Sequence, residues 1–259
     1  MVGVREIQGG WASFTFLVEG DHILRFARTP EVAAAHRREV ALLPLLAPAL
    51  SFAVPRPDFF QDWGDRTCLG YPLIPGRPIT DDDDWRSLSA VLRELHTFPV
   101  DAARGVLGGG DWRDYYVRLW ADIAERLLPV LDDGLRVALA ADYHAFLGGD
   151  WDFEPVLVHR DLAPEHVLVD DGGRVVGLID FEDAAVGDPA VDFAGLLAFL
   201  GADRVETLLA DYGLPVSRER MRCYWWLIPV HELLHGLATD DGAIVGAAVG
   251  ALRARLDVA

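Results

Sequence analysis

Residues 157–193 read LVHRDLAPEHVLVDDGGRVVGLIDFEDAAVGDPAVDF, crowding carboxylates and two histidines into a chain that is 51% hydrophobic. His159 ends one apolar run, Asp161 follows in a loop, His166 opens a second run, and Asp180 closes a third. A buried carboxylate is costly unless a cation neutralises it, so the segment is either a solvated loop or a site for a cation. A strand–loop–strand–turn–strand path can bring Asp161, His166 and Asp180 to one end of a hairpin. Two carboxylates and an imidazole there suit a divalent cation plus one free base. Asp170 and Asp171, in VDDGG, read as turn residues.

The elements that must position these groups are short. PVLVH, HVLVD and RVVGLID are β-branched runs separated by turns. Upstream, SFTFLVEGDHILRFAR reads as a hairpin turned by EGD. The next stretch, TPEVAAAHRREVALLPLLAPAL, reads as a helix with Thr29 as cap, Pro30 in its first turn and Glu31 at the positive end of its dipole. VPRPDFF and TCLGYPLI read as two further strands. IPGRPITDDDD breaks the composition near residue 75. Its acidic run either starts a helix, with Asp83 or Asp84 as cap, or gathers a cationic ligand. Beyond it, helices are expected around 112–128, 135–147, 189–200, 203–212, 218–238 and 243–256. The fold class is α+β: a small N-terminal β-sheet lobe with one helix (1–75) and a larger, mainly helical C-terminal lobe (76–259) with a hairpin inset.

The chain has 259 residues and a net charge of −18. That balance disfavours binding to nucleic-acid phosphates and suits either solubility or a cationic ligand. Its basic residues are all arginine, so any step that elsewhere uses lysine must use arginine here. Cys68 and Cys223 form no CxxC pair and no disulfide framework. The longest apolar run, YWWLIPVHELL, is too short and polar to span a bilayer, and the first residues lack an apolar signal core. A cytoplasmic protein with no membrane partner is expected.

HRDLAPEHVL followed by LIDFED resembles the catalytic and metal-binding loops of the protein-kinase-like superfamily. Extended through GDPAVDFAGLL, it resembles more closely the aminoglycoside phosphotransferase family. That likeness continues in ILRFAR, HRREVALL, GYPLIPGRPI and LRELH, over nearly the whole chain and in the family's order. It implies a bilobal protein-kinase-like fold that moves the γ-phosphate of ATP or GTP, with Mg2+, to a small-molecule hydroxyl. Asp161 would be the catalytic base and needs no unusual pKa for that work. Asp180 would hold magnesium. His166 stands where protein kinases carry an asparagine metal ligand, a place where 2″-aminoglycoside phosphotransferases also have histidine. His159 would brace the catalytic loop rather than react, and Asp192 would hold that loop's NH groups. Asp188 is either a helix cap or a substrate contact, and Glu182 or Asp183 either binds a second ion or is solvated. Ala163 replaces the lysine of HRDLKPEN, which points away from protein substrates.

On the nucleotide side, Arg25 takes the place of the strand lysine and pairs with Glu39; the alternative is an arginine snorkelling at a strand edge. QGGWASF would cover the phosphates, with Gly10 and Ser13 in that loop. GYPLIPG resembles the hinge, where the Pro72 carbonyl and the Ile74 NH would pair with the base. Tyr71 is either the gatekeeper that leaves GTP used at least as well as ATP, or a plain core aromatic. On the acceptor side, Trp225 and Trp226 are candidates to stack a sugar ring, and Glu232, Asp240 and Asp241 to hold ammonium groups; the alternative is a core aromatic stripe. The expected acceptor is an aminoglycoside or a related cationic or macrolide antibiotic. FART and GDPAVD are also similar to the tuberactinomycin phosphotransferases. The alternatives are a metabolite kinase for choline, homoserine or a sugar, and a non-catalytic nucleotide-binding module.

Overall fold

The computed structural model describes residues 3–7 and 10–256. The smaller lobe is a five-stranded antiparallel sheet ordered β1 (Val4–Ile7), β2 (Ser13–Val18), β3 (His22–Ala27), β5 (Thr67–Pro72), β4 (Phe59–Asp62). The β2–β3 turn places Glu19 and Gly20 at φ 54° and 87°, the positive values that match the right-handed twist of a hairpin. Alternation along β3 sends Ile23, Arg25 and Ala27 to its buried face. That face meets α1 (Pro30–Leu46), where Thr29 Oγ1 accepts from Val32 N at 3.4 Å. Glu39 and His36, one turn apart, lie on the buried side of α1.

The chain passes from this sheet to the larger lobe between Pro72 and Arg77, since β6 (Arg77–Pro78) already pairs with β8 (Val167–Val169). The division is not clean there. Leu42, Leu43, Leu46, Phe52 and Val54 belong to the large lobe's core, and Ala53 bonds to Val176 and Leu178. The small lobe keeps a separate core of Ile23, Leu69 and Tyr71.

Helices α2 (Ser87–His96), α3 (Val100–Leu107), α4 (Trp112–Asp122), α5 (Asp133–Gly148), α6 (Ala190–Leu200), α7 (Ala202–Tyr212), α8 (Arg218–Thr239) and α9 (Gly242–Leu256) make up the larger lobe. Within it, β6, β8 and β9 (Val175–Leu178) form one sheet, and β7 (Val156–Val158) pairs with β10 (Ala185–Gly187). No helix among the described residues is long and apolar enough to cross a membrane.

Several elements differ from expectation. The strand expected in VPRPDFF begins only at Phe59, because Pro55 and Pro57 cannot donate to a ladder. The β1 strand was not read; all four of its residues are exposed, so it shows no alternation. Short α3, eight residues long, was not read either, and it buries only Ala103. No side chain caps α2: Asp83 instead receives Arg77 Nη1 and Nη2 at 2.7 and 2.6 Å and Thr80 N at 2.8 Å. A bidentate guanidinium fork outbids a single cap hydrogen bond.

Candidate active site

The loop after β7 is held from below. Buried Asp192, in the first turn of α6, accepts from His159 N at 2.9 Å, from Arg160 N at 2.6 Å and from His96 Nε2 at 2.9 Å. Those bonds offset the left-handed backbone of Arg160, φ 72°. His159 is fully buried. Its Nε2 donates to the Ile179 carbonyl at 2.9 Å, and its Nδ1 accepts from Asp161 N at 3.3 Å. This is the neutral tautomer, and burial pushes the ring's pKa down. His159 therefore braces the loop. Gly195 lets α6 approach: an added Cβ would meet the Leu162 carbonyl at 2.6 Å.

Asp161 stands above this platform with its side chain 54% exposed. His166 Nδ1 donates to the Asp161 carbonyl at 2.7 Å and lies 3.5 Å from Asp161 Oδ2. With Nδ1 protonated, the Nε2 lone pair faces Asp180 Oδ2 at 3.7 Å. One imidazole thus spans the two carboxylates in a shared cleft. Asp180 and His166 Nε2 offer a hard oxygen and a nitrogen. Magnesium prefers oxygen, so the pair fits it through the carboxylate, with the imidazole placed to hold a bound water.

Arg25 comes down on this pair from β3. Its Nη1 lies 3.1 and 3.0 Å from the two Glu39 oxygens, and its Nη2 bonds Asp180 Oδ1 at 2.7 Å and Glu182 Oε2. Arg25 is buried, so it does not snorkel at an edge. Burial works against ionisation at Asp180, but the Arg25 guanidinium outweighs it and lowers its pKa. Burial pushes Glu182 up to about 8 against the pull of Arg25. His36, Glu39 and Glu182 bring ligand atoms within 4.8 Å of one another, but the cation among them is the Arg25 guanidinium. Glu182 is therefore neither solvated nor free for a second ion, while Asp183 is exposed.

Other expected residues lie elsewhere. Ser13 is buried, its hydroxyl 3.0 Å from His36 Nε2, so it does not face a phosphate. The loop preceding it includes Gln8 and Gly9, which lie outside the described residues; Gly10 is exposed. Tyr71 packs in the small core beside Arg25, which accords with a core aromatic. Pro72 is exposed and Ile74 half-buried at the crossing between lobes, where Leu73 N bonds Asp21 O at 2.7 Å.

The acceptor-side candidates are differently placed. Trp226 lies in the core, and Trp225 carries the Arg255 guanidinium 4.7 Å from its ring centre. Glu232 is half-buried, and its charge acts on Arg255. Asp240, at φ 54°, closes α8, and Asp241 caps α9 through Ala243 N at 3.0 Å. Asp188 is fully buried, accepting from Ala190 N and Tyr224 OH, both at 3.0 Å, and from Arg220, so it caps and does not reach a ligand. His235, one turn after Glu232, stacks on Trp11, and the charges of Arg160 and Asp183 act on His231. Arg160 sits over Tyr115 at 4.4 Å and Trp112 at 5.7 Å. Arg160, His231, His36 and Trp11 were not picked out by sequence reasoning. Arg160 alone had a signal, lying between His159 and Asp161.

This arrangement pairs an accessible carboxylate with a cation-ready carboxylate and a buried arginine, the parts that phosphoryl transfer needs for alignment and charge neutralisation. Viomycin phosphotransferase of Streptomyces vinaceus is similar, 29% identical over 220 residues that cover 76% of this chain and 74% of that protein. The GDP and kanamycin complex of APH(2″)-IIIa matches with a TM-score of 0.88 and 25% identity, covering 98% of this chain and 92% of that one. The macrolide 2′-phosphotransferase MphH of Brachybacterium faecium matches with a TM-score of 0.72 and 28% identity, covering 96% and 91%. A family model described as the phosphotransferase enzyme family matches residues 3–224. Bilobal, kinase-like and built around a carboxylate pair, the chain belongs to that phosphotransferase family and is an enzyme that phosphorylates a hydroxyl group.

Proposed function

We propose that the protein is an antibiotic O-phosphotransferase, moving the γ-phosphate of GTP or ATP to a hydroxyl of an aminoglycoside or a related cationic or macrolide antibiotic. The observation that carries this is the single His166 imidazole, 3.5 Å from Asp161 and 3.7 Å from Asp180. Asp161 orients the acceptor hydroxyl and takes its proton as the new O–P bond forms and the bond to the β-phosphate oxygen breaks. Asp180 would hold magnesium, with His166 placed to reach it through water, and a bound magnesium would supply neutralisation of the charge that develops on the phosphates. Arg25, steadied by Glu39, turns from Asp180 to the phosphates when nucleotide arrives, and the Pro72 carbonyl and Ile74 NH hold the base. A cytoplasmic location supplies both nucleotides.

The acceptor reading rests on the relatives, which are named for viomycin, kanamycin and macrolides. The net charge of −18 favours a cationic acceptor among them. The GDP bound in the aminoglycoside relative supports GTP, which a gatekeeper role for Tyr71 would favour. We expect kcat/KM for GTP at least equal to that for ATP; a strong ATP preference refutes the Tyr71 assignment. Coupled nucleotide turnover with Mg2+ against kanamycin, viomycin, a macrolide, choline and homoserine tests the function. Turnover with an antibiotic is expected. Turnover with choline or homoserine alone makes the protein a metabolite kinase, and no turnover with any acceptor removes the enzyme reading.

A further inference from the structure

The Trp11 and His235 rings lie 4.1 Å apart and within 3° of parallel, across the gap between the two lobes. Trp11 belongs to the stretch before β2, and His235 is in the last turns of α8. Trp11 is 48% exposed. An indole buries a large apolar area when it finds a partner, and a single imidazole covers one face only.

The position of the stack gives it a role. Two residues after Trp11, Ser13 bonds His36, whose Nε2 lies 3.8 Å from Glu182 in the Arg25 cluster. One turn before His235, His231 feels the charge of Arg160, the neighbour of Asp161. The stack therefore joins the segment ahead of β2, which reaches the Arg25 cluster through Ser13 and His36, to the last turns of α8.

Resting on the phosphotransferase reading above, we propose that Trp11 determines acceptor specificity: its indole is the roof of the acceptor subsite, and a saturated, amine-bearing ring of the acceptor replaces the His235 imidazole against it. The C–H face of such a ring matches the indole in shape, and an ammonium group near the ring adds a cation–π attraction. His235 is a placeholder that keeps the indole covered in the free enzyme.

The test compares Trp11→Ala, Trp11→Phe and His235→Ala with the wild type, using MgGTP and whichever antibiotic the wild type phosphorylates. Trp11→Ala should raise the acceptor KM about tenfold while the nucleotide KM stays within about twofold. Trp11→Phe should recover most of that loss, because a flat apolar face remains. His235→Ala should lower the acceptor KM, since no placeholder has to be displaced. An unchanged acceptor KM in Trp11→Ala overturns the proposal, as does a nucleotide KM that rises in step with it. A rise in His235→Ala matching that in Trp11→Ala also overturns it, since the stack would then be a structural brace. If the wild type phosphorylates no antibiotic, the functional reading has failed and the proposal with it, a result distinct from a wild-type Trp11→Ala in an active enzyme.

Discussion

Asp161 and Asp180 are the same side chain in two electrostatic settings. Desolvation within the cleft raises the pKa of Asp161 although its side chain is 54% exposed, whereas its work needs no more than an ordinary carboxylate. At Asp180 the same burial penalty is overcome by Arg25, 2.7 Å away. Both residues, with His166, Arg25 and Glu39, were legible because a motif fixes their spacing on adjacent elements. Ser13 and Trp225 were not: which way a side chain turns depends on what packs against it, His36 in one case and Arg255 in the other. His36 yields a prediction at this scale. It bridges Ser13 Oγ at 3.0 Å and Thr67 Oγ1 at 2.9 Å, and burial first, then Arg25, push it from 6.5 down to about 4. Between those values the unfolded chain binds the extra proton. This contribution to stability is thus complete above about pH 6.5 and lost as pH falls through about 4. Thermal unfolding followed from pH 7 to 4 should show a steeper fall in Tm for the wild type than for His36→Gln. Parallel curves would show that His36 is not the group titrating.

Among the elements, α6 matters most to the chemistry although it contributes no reacting atom. Its first turn supplies Asp192, which gathers α2 and the catalytic loop through three hydrogen bonds. Its second turn brings Gly195 under Leu162. The role of Asp192 was readable from GDPAVDF. The pairing of β7 with β10 was not, because a three-residue strand such as Ala185–Gly187 carries no periodicity. Gly195→Ala places a methyl carbon 2.6 Å from the Leu162 carbonyl, so loop or helix must shift. We expect a loss of about 1–3 kcal/mol in stability, the usual range for overpacking, together with a fall in kcat at little changed nucleotide KM. Urea unfolding and steady-state kinetics read both; wild-type stability and kcat would show that the loop has slack.

For the whole molecule, the small lobe has little core of its own, and the buried end of α1 ties it to the large one. Arg25 adds an ionic tie, from β3 to Asp180 on the far side of the cleft. The two-lobed plan was legible from the composition break near residue 75, but the shared core around residues 42–54 was not, since it depends on contacts distant in the chain. Asp180→Ala cuts the ionic tie and removes the carboxylate available to magnesium. Calorimetric nucleotide affinity should weaken in this variant and no longer respond to chelation of Mg2+, whereas wild-type affinity falls on chelation. A magnesium dependence that survives in Asp180→Ala would place the ion elsewhere. The central claim is that the cleft divides its labour, one carboxylate for the acceptor hydroxyl and another for the metal-bound nucleotide. Turnover by Asp161→Asn, measured beside its nucleotide affinity, tests that most directly. The account predicts phosphate transfer reduced by at least ~10²-fold with nucleotide bound as tightly as in the wild type; transfer at the wild-type rate would contradict it.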